Sequence, residues 1–328
     1  MADKSENRIT VSVIVPVLNE EKHIRALLSS LVSQSFPIEN TEWIFVDGGS
    51  RDRTLDIISE YLYDYPLSLL HSDGHGTPYS LNIGIRNSIG KYIVRLDAHT
   101  VYPPDYIERC VWYLDNTEAD NVGGRVETTA DGFVGSAIAK ILSSRFGVGG
   151  SGFRTSGASG YVDTVPFGAF RREVFDRVGL FNEELLRSED NDINSRIRKA
   201  GGKVFLADDI ISEYHCRDTV AEILRYGLKN GNALFRTVGI NPHAMRIRHF
   251  IPFLFVLSIF TFSCLGFFSL YFIYLLIAEL VLYLFIDIYF SFFTGQPRLG
   301  IVTIWLYPLF HIAYGLGSFL GLIGIKLY

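Results

Sequence analysis

Val11-Ser12-Val13-Ile14-Val15-Pro16 is an apolar run closed by a proline, and Ile24, Leu27, Leu28 and Leu31 follow it at helical spacing. This reads as a strand followed by a helix. The pattern recurs: Trp43-Ile44-Phe45-Val46 precedes a helix expected over 54–61, and Leu67-Ser68-Leu69-Leu70 precedes one over 79–88. Tyr92-Ile93-Val94-Arg95-Leu96 then leads into Asp97. Strands alternating with helices at this pitch predict a parallel, doubly wound α/β sheet. In such sheets ligands bind outside the carboxyl ends of the strands.

Those ends carry Asn19-Glu20, Asp47-Gly48-Gly49-Ser50, Asp73-Gly74 and Asp97-Ala98-His99. Each alone is ordinary turn chemistry; four in succession facing one crevice point to a polar ligand. No helix opens on a phosphate-cradling glycine motif. Gly147-Val148-Gly149-Gly150 follows no strand and reads as a mobile loop. Asp97 and His99 share one face of an extended segment, and an oxygen-plus-imidazole pair suits Mn²⁺ or Mg²⁺ when phosphates complete the shell. In Ser188-Glu189-Asp190-Asn191-Asp192, Ser188 reads as the N-cap of a helix running to Gly201. Asp192 then serves the helix dipole, while a carboxylate facing the crevice is suited to general-base work. His75 and His215 read as satisfied loop histidines rather than metal ligands.

The rest of the chain is a different kind of polymer. Of 328 residues, only Glu279, Asp287, Arg298 and Lys326 are charged after His249, where 22 of the 46 aromatics lie. The net charge of −5 divides unevenly: −10 through Glu222, +5 from Ile223 to His249, and zero beyond. Disorder, a fibrous repeat, a small disulfide scaffold and a nucleic-acid partner are excluded. Cys110, Cys216 and Cys264 form no metal or disulfide pattern and read as buried or neutral thiols. The polar N-terminal decapeptide is unlike a signal peptide, which favours a cytoplasmic N-terminal domain. The apolar stretch is too long for one crossing and is expected to turn near Gly266–Ser269, with spans over 250–268, 270–293 and 301–323. Three crossings put the C-terminus outside; a re-entrant hairpin is the alternative. Arg246, Arg248 and Arg298 agree with a cytoplasmic N-terminal domain. The expected organisation is a catalytic domain over 1–218, a basic membrane-interface segment over 219–249 and a transmembrane region over 250–328. Asp287 lies close enough to a span end to reach an interface, whereas Glu279 needs protonation or a helix contact, within the chain or between subunits.

The motifs Val13-Ile14-Val15-Pro16-Val17-Leu18-Asn19-Glu20, Val46-Asp47-Gly48-Gly49-Ser50-Arg51-Asp52, Leu96-Asp97-Ala98-His99 and Glu189-Asp190-Asn191-Asp192 together resemble the inverting nucleotide-sugar glycosyltransferases of family 2. Arg95-Leu96-Asp97-Ala98-His99, Val162-Asp163-Thr164-Val165-Pro166-Phe167-Gly168-Ala169-Phe170 and Arg225-Tyr226-Gly227 bring the match nearest to the succinoglycan-biosynthesis type. The resemblance implies a GT-A fold, a Rossmann-like mixed sheet with helices on both faces. It assigns Pro16, Asn19, Glu20 and Asp47 to the uridine pocket, with Asp73 near the base. Asp97 stands at the first acid of the D-x-D metal motif, and His99 replaces the second. Asp190 stands at the catalytic base. A processive Q-x-x-R-W element is absent, which favours a single transfer per encounter.

The reading that follows is a plasma-membrane glycosyltransferase moving a sugar from a nucleotide-sugar, expected to be a UDP-sugar, to a polyprenyl-diphosphate-linked saccharide in polysaccharide biosynthesis. Asp190 takes the acceptor proton, and Mn²⁺ or Mg²⁺ on Asp97 and His99 neutralises the leaving diphosphate. Arg225, Lys229 and Arg154 are candidates for the diphosphate or the lipid acceptor. Two rival readings are a synthase acting directly on polyprenyl phosphate, and a nucleotide-binding membrane scaffold without catalysis.

Overall fold

The structure is a computed structural model, and it describes residues 9–74, 76–155 and 158–327. Most of the polar decapeptide, and His75, lie outside the described residues. In chain order the elements begin β1 (Val11–Val17), α1 (Ile24–Val32), β2 (Thr41–Asp47), α2 (Thr54–Ser59), β3 (Leu67–His71), α3 (Thr77–Arg86), β4 (Tyr92–Arg95), β5 (Thr100–Val101), α4 (Tyr106–Asn116) and β6 (Asn121–Thr129). Three helices follow, α5 (Gly132–Leu142), α6 (Arg145–Val148) and α7 (Gly152–Thr155), then β7 (Gly160–Tyr161), β8 (Ala169–Arg171), α8 (Glu173–Val178), α9 (Glu189–Lys199) and β9 (Val204–His215). The chain closes with α10 (Val220–Ile240), α11 (Ile251–Gly266), α12 (Leu270–Phe292) and α13 (Gly300–Leu322).

Two compact units result. Among the described residues, one comprises 9–127 and 158–214, the other 128–155 and 215–327. The first is built on a nine-stranded sheet ordered β3-β2-β1-β4-β8-β6-β9-β5, with β7 paired to β9. β3, β2, β1 and β4 are parallel, whereas β8 runs antiparallel to both β4 and β6. The parallel half is the one legible in the sequence. Val11, Val13, Ile14 and Val15 are wholly buried, as expected of a strand covered by helices on both faces. Gly84 lets α3 approach β1, since a Cβ there would strike the Ile14 side chain. β1 continues through Pro16 to Val17, whose register partner is Asp47. The ends of β1 and β2 therefore lie level.

The second unit is helical. α12 and residues 297–322 are long and apolar enough to cross a membrane, whereas α11 has 16 residues. The expected turn falls at 267–269, between α11 and α12. Glycines join α10 to α13: a Cβ at Gly231 would collide with the Tyr314 carbonyl, and one at Gly317 with the Leu228 carbonyl. Asn232 Nδ2 donates to the Ile325 carbonyl at 2.8 Å. Some sequence expectations change here and others hold. The Gly147–Gly150 loop holds helical structure: α6 is capped by Ser144, whose Oγ accepts from Gly147 N–H at 2.9 Å, and α7 follows. Asp287 is enclosed by protein, accepting from Ser291 Oγ at 2.9 Å. Glu279 has the expected helix contact, within the chain, from Ser258 Oγ at 2.6 Å. Cys110 and Cys216 are buried, and burial pushes the Cys216 thiol up to about 11, but Cys264 is exposed on α11.

Candidate active site

The crevice is assembled from strand ends latched to one another in the sheet unit. Asn19, at a left-handed φ of 56°, donates its N–H to Ser50 Oγ at 3.0 Å and accepts from Arg51 N–H at 2.8 Å through Oδ1. Glu20 N–H donates to Thr54 Oγ1 at 2.7 Å. These bonds tie the end of β1 to the turn after β2. The buried Asp47 carboxylate accepts from Gly49 N–H at 3.0 Å and Ser50 N–H at 3.1 Å, bracing that turn from within. Ser72 N–H donates to the Asp47 carbonyl at 2.8 Å, which brings the end of β3, and with it exposed Asp73, beside the end of β2.

The fourth strand end supplies the acid and imidazole donors. His99 Nδ1 lies 3.0 Å from Asp97 Oδ1 and 3.3 Å from Glu20 Oε1, so the ends of β4 and β1 meet. Asp97 N–H donates to the buried Tyr102 hydroxyl at 2.8 Å, fixing the bend after β4. Asp97 and His99 offer a hard oxygen and a borderline nitrogen donor, residue types that suit Mn²⁺ or Mg²⁺. Among the described residues, the group of three acid or imidazole side chains whose ligand atoms all lie within 4.8 Å of one another is Asp131, His215 and Asp218, in the helical unit. His215 Nε2 lies 3.6 Å from Asp218 Oδ1.

Asp190 sits in the first turn of α9, and the residue that holds it was not singled out by motif reading. Arg95, the last residue of β4, is 5% exposed. Its guanidinium donates to Asp190 Oδ1 through Nη1 and to Glu189 Oε1, at 2.9 Å, through Nη2. The signal was present: a charged residue inside an apolar strand must find partners or carry a desolvation cost. Burial pushes the Asp190 carboxyl up to about 7, and Arg95 opposes that rise. The carboxyl is thus held far nearer neutrality than the value of about 3.9 of an ordinary aspartate, as a group suited to accepting a proton requires.

Ser188 is not the hydroxyl cap expected. It adopts a left-handed φ of 66° and its side chain makes no capping bond. Asp192 is buried and pairs with Arg196 at 2.9 Å, and Arg196 donates onward to the Leu180 carbonyl at 2.8 Å. Its role is to hold the loop before α9. Arg154, Arg225 and Lys229 belong to the helical unit; Arg154 Nη1 donates to Thr128 Oγ1 at 2.8 Å and Arg225 is exposed.

A mixed sheet that opens with four parallel strands and gathers carboxylates at their ends is the GT-A-like α/β architecture. The glycosyl transferase family 2 profile matches residues 12–179, and the chain belongs to that family. A Methanococcus voltae protein described as a dolichyl N-acetyl-α-D-glucosaminyl phosphate 3-β-D-2,3-diacetamido-2,3-dideoxy-β-D-glucuronosyltransferase is 26% identical, over 95% of this chain and 97% of its own. Succinoglycan biosynthesis protein ExoA of Rhizobium meliloti is 30% identical over 62% of this chain and 63% of its own. Among solved structures, a Pyrobaculum calidifontis mannosyltransferase in complex with GDP-mannose and Mn²⁺ shares the fold, with a TM-score of 0.64 at 18% identity, covering 96% of this chain and 87% of that one.

Proposed function

We propose that this protein is a metal-assisted, inverting glycosyltransferase that moves a sugar from a nucleotide-sugar to a lipid-linked sugar at a membrane. The observation that carries the reading is the pairing of a carboxylate–imidazole donor set at the end of β4 with an Arg95-held carboxylate at the start of α9, both in the sheet unit. Pro16, Asn19, Glu20, Asp47 and Asp73 line the nucleotide side of the crevice, and UDP is the expected nucleotide. Because the Asn19 and Asp47 side chains brace the turns, they act on the nucleotide chiefly by shaping its pocket.

Asp97 and His99 would hold Mn²⁺ or Mg²⁺, which supplies charge neutralisation for the leaving diphosphate. With Oδ1 engaged by Arg95, Asp190 offers Oδ2 to the acceptor hydroxyl and removes its proton as the oxygen attacks the anomeric carbon. Attack opposite the nucleotide inverts that carbon. Exchange of His99 for Asp is expected to shift the metal that best supports activity from Mn²⁺ toward Mg²⁺, since imidazole favours the softer ion. Metal titrations of the two proteins read this out; identical preference would remove His99 from the ligand set.

The acceptor is inferred from the apolar helices and from the M. voltae relative, whose name specifies a dolichyl-phosphate-linked sugar. A membrane-anchored catalytic unit gains most when one substrate shares the membrane. Arg225, Lys229 and Arg154 are assigned to the phosphates of that lipid, and a cytoplasmic, plasma-membrane location accompanies the assignment. The test is transfer of radiolabelled sugar from UDP- and GDP-sugars to polyprenyl-linked saccharides by the full chain in detergent. Products confined to free polyprenyl phosphate would support direct lipid glycosylation, and no transfer from any donor would support a non-catalytic scaffold.

A further inference from the structure

The position of α13 in the helical unit does not suit a third membrane crossing. α11 and α12 pair as a hairpin: Phe255 stacks on Tyr283 at 4.5 Å, Ser258 bonds Glu279, and the turn at 267–269 exposes Phe267 and Phe268. The start of α11 and the end of α12 therefore belong to one side of the bilayer. If α13 recrossed beside α12, Gly315 would stand about 22 Å beyond Gly300, toward that turn. It does not. A Cβ at Gly315 would fall 2.5 Å from the Pro252 carbonyl, in the first turn of α11, and one at Gly300 would fall 2.8 Å from the Ser291 carbonyl, in the last turn of α12. α13 thus runs from one foot of the hairpin to the other.

Two further observations suit that base to the headgroup level of a membrane. Lys140 of α5 donates Nζ to the Ser291 carbonyl at 2.7 Å and to the Gln296 carbonyl at 3.0 Å, setting an ammonium at the C-terminal end of α12. This also complements the helix dipole. The second half of α13 is joined through Gly317 and Gly321 to α10, with a Cβ at Gly321 colliding with the Asn232 carbonyl. α10 carries Arg225, Lys229 and Arg236, so a spanning α13 would draw these cations toward the hydrocarbon, where ionised side chains are costly. On its outward face α13 exposes Ile301, Trp305, Leu309, Ile312, Leu316 and Phe319, spaced by three and four. An apolar stripe on a helix held in the interface plane fits the acyl boundary of a lipid leaflet.

We propose that α13 lies along the membrane surface across the base of the α11–α12 hairpin, presenting this stripe to one leaflet, so that the chain crosses twice and its C-terminus returns to the side where α11 begins. The inference is independent of the reaction. It is tested in the full chain carrying Cys264→Ser, with Phe268→Cys, Lys326→Cys or Tyr63→Cys added singly, using a membrane-impermeant maleimide on sealed vesicles of known orientation. Labelling of the Lys326→Cys and Tyr63→Cys proteins from one side, and of Phe268→Cys from the other, is expected. Lys326→Cys and Phe268→Cys labelled from the same side would overturn the proposal.

Bromolipid quenching of Trp305, and of a Leu316→Trp variant, gives a second readout. Both positions are expected to be quenched most by bromines near the headgroup. Deep quenching at position 316 would overturn the in-plane placement. Absence of quenching at both would mean that protein, such as a second copy of the chain, covers the stripe, and would equally overturn it.

Discussion

Replacement of Asp190 by Asn is expected to lower kcat for sugar transfer by about 10²–10⁴-fold, the range a positioned general base supplies, while nucleotide binding and Tm stay near those of the unaltered protein. The side chain lies in the first turn of α9, where Oδ1 accepts from Arg95. An amide retains an oxygen for that bond and the shape of the turn, but its nitrogen carries protons and takes none. The loss should therefore fall on kcat rather than on the KM for the nucleotide-sugar. Steady-state kinetics with calorimetric nucleotide titration separates the two; full turnover by the Asn protein would transfer the base role elsewhere.

Exchange of Arg95 for Met should act on stability and rate together. It leaves Glu189 and Asp190 facing each other without their shared cation, and breaking a buried ion pair costs about 3–5 kcal/mol; the partial exposure of Asp190 puts the expectation at the low end, about 3 kcal/mol. The pH dependence follows from the direction of the shift. A carboxyl whose folded pKa exceeds its unfolded value binds its proton more tightly when folded, so stability is present below the unfolded pKa and is lost as pH rises toward the folded pKa. With burial already holding Asp190 near 7 and Arg95 opposing that rise, removing the guanidinium raises the pKa further. The Tm deficit of the Met protein should thus be small at pH 5 and large at pH 8. The acid limb of kcat that Asp190 is expected to set should move upward, and Arg95→Lys should return part of the way. A Tm deficit independent of pH, with an unmoved limb, would make Arg95 a packing residue only.

What the sequence disclosed and what it withheld divide along physical lines. β1, β2 and β4 were readable because strands buried on both faces are mostly apolar, as Val11 to Val15 and Trp43 to Val46 are, whereas β3, at the sheet edge with Ser68 and His71 exposed, was readable from its place in the repeat. The strand-end residues were readable because each follows such a run. The left-handed Ser188 was not, since its φ is imposed by the approach to α9 and a serine there looks like an ordinary cap. Arg95 was visible as a charge in an apolar strand, but its partners lie 94 and 95 residues away. The inclusion of 128–156 in the helical unit and the course of α13 were hidden for a related reason. Hydropathy measures how apolar a helix is and carries no information about its direction relative to a membrane.

Single displacement at an anomeric carbon, with Asp190 as base, fixes the stereochemistry of the product. The full chain in detergent, given Mn²⁺, a polyprenyl-linked saccharide and the α-linked nucleotide-sugar that supports transfer, should yield a β-glycoside, read from the anomeric proton coupling of the released saccharide. An α-glycoside from that donor would require retention, which one base opposite the leaving group does not produce, and would rule out single displacement with Asp190 as base.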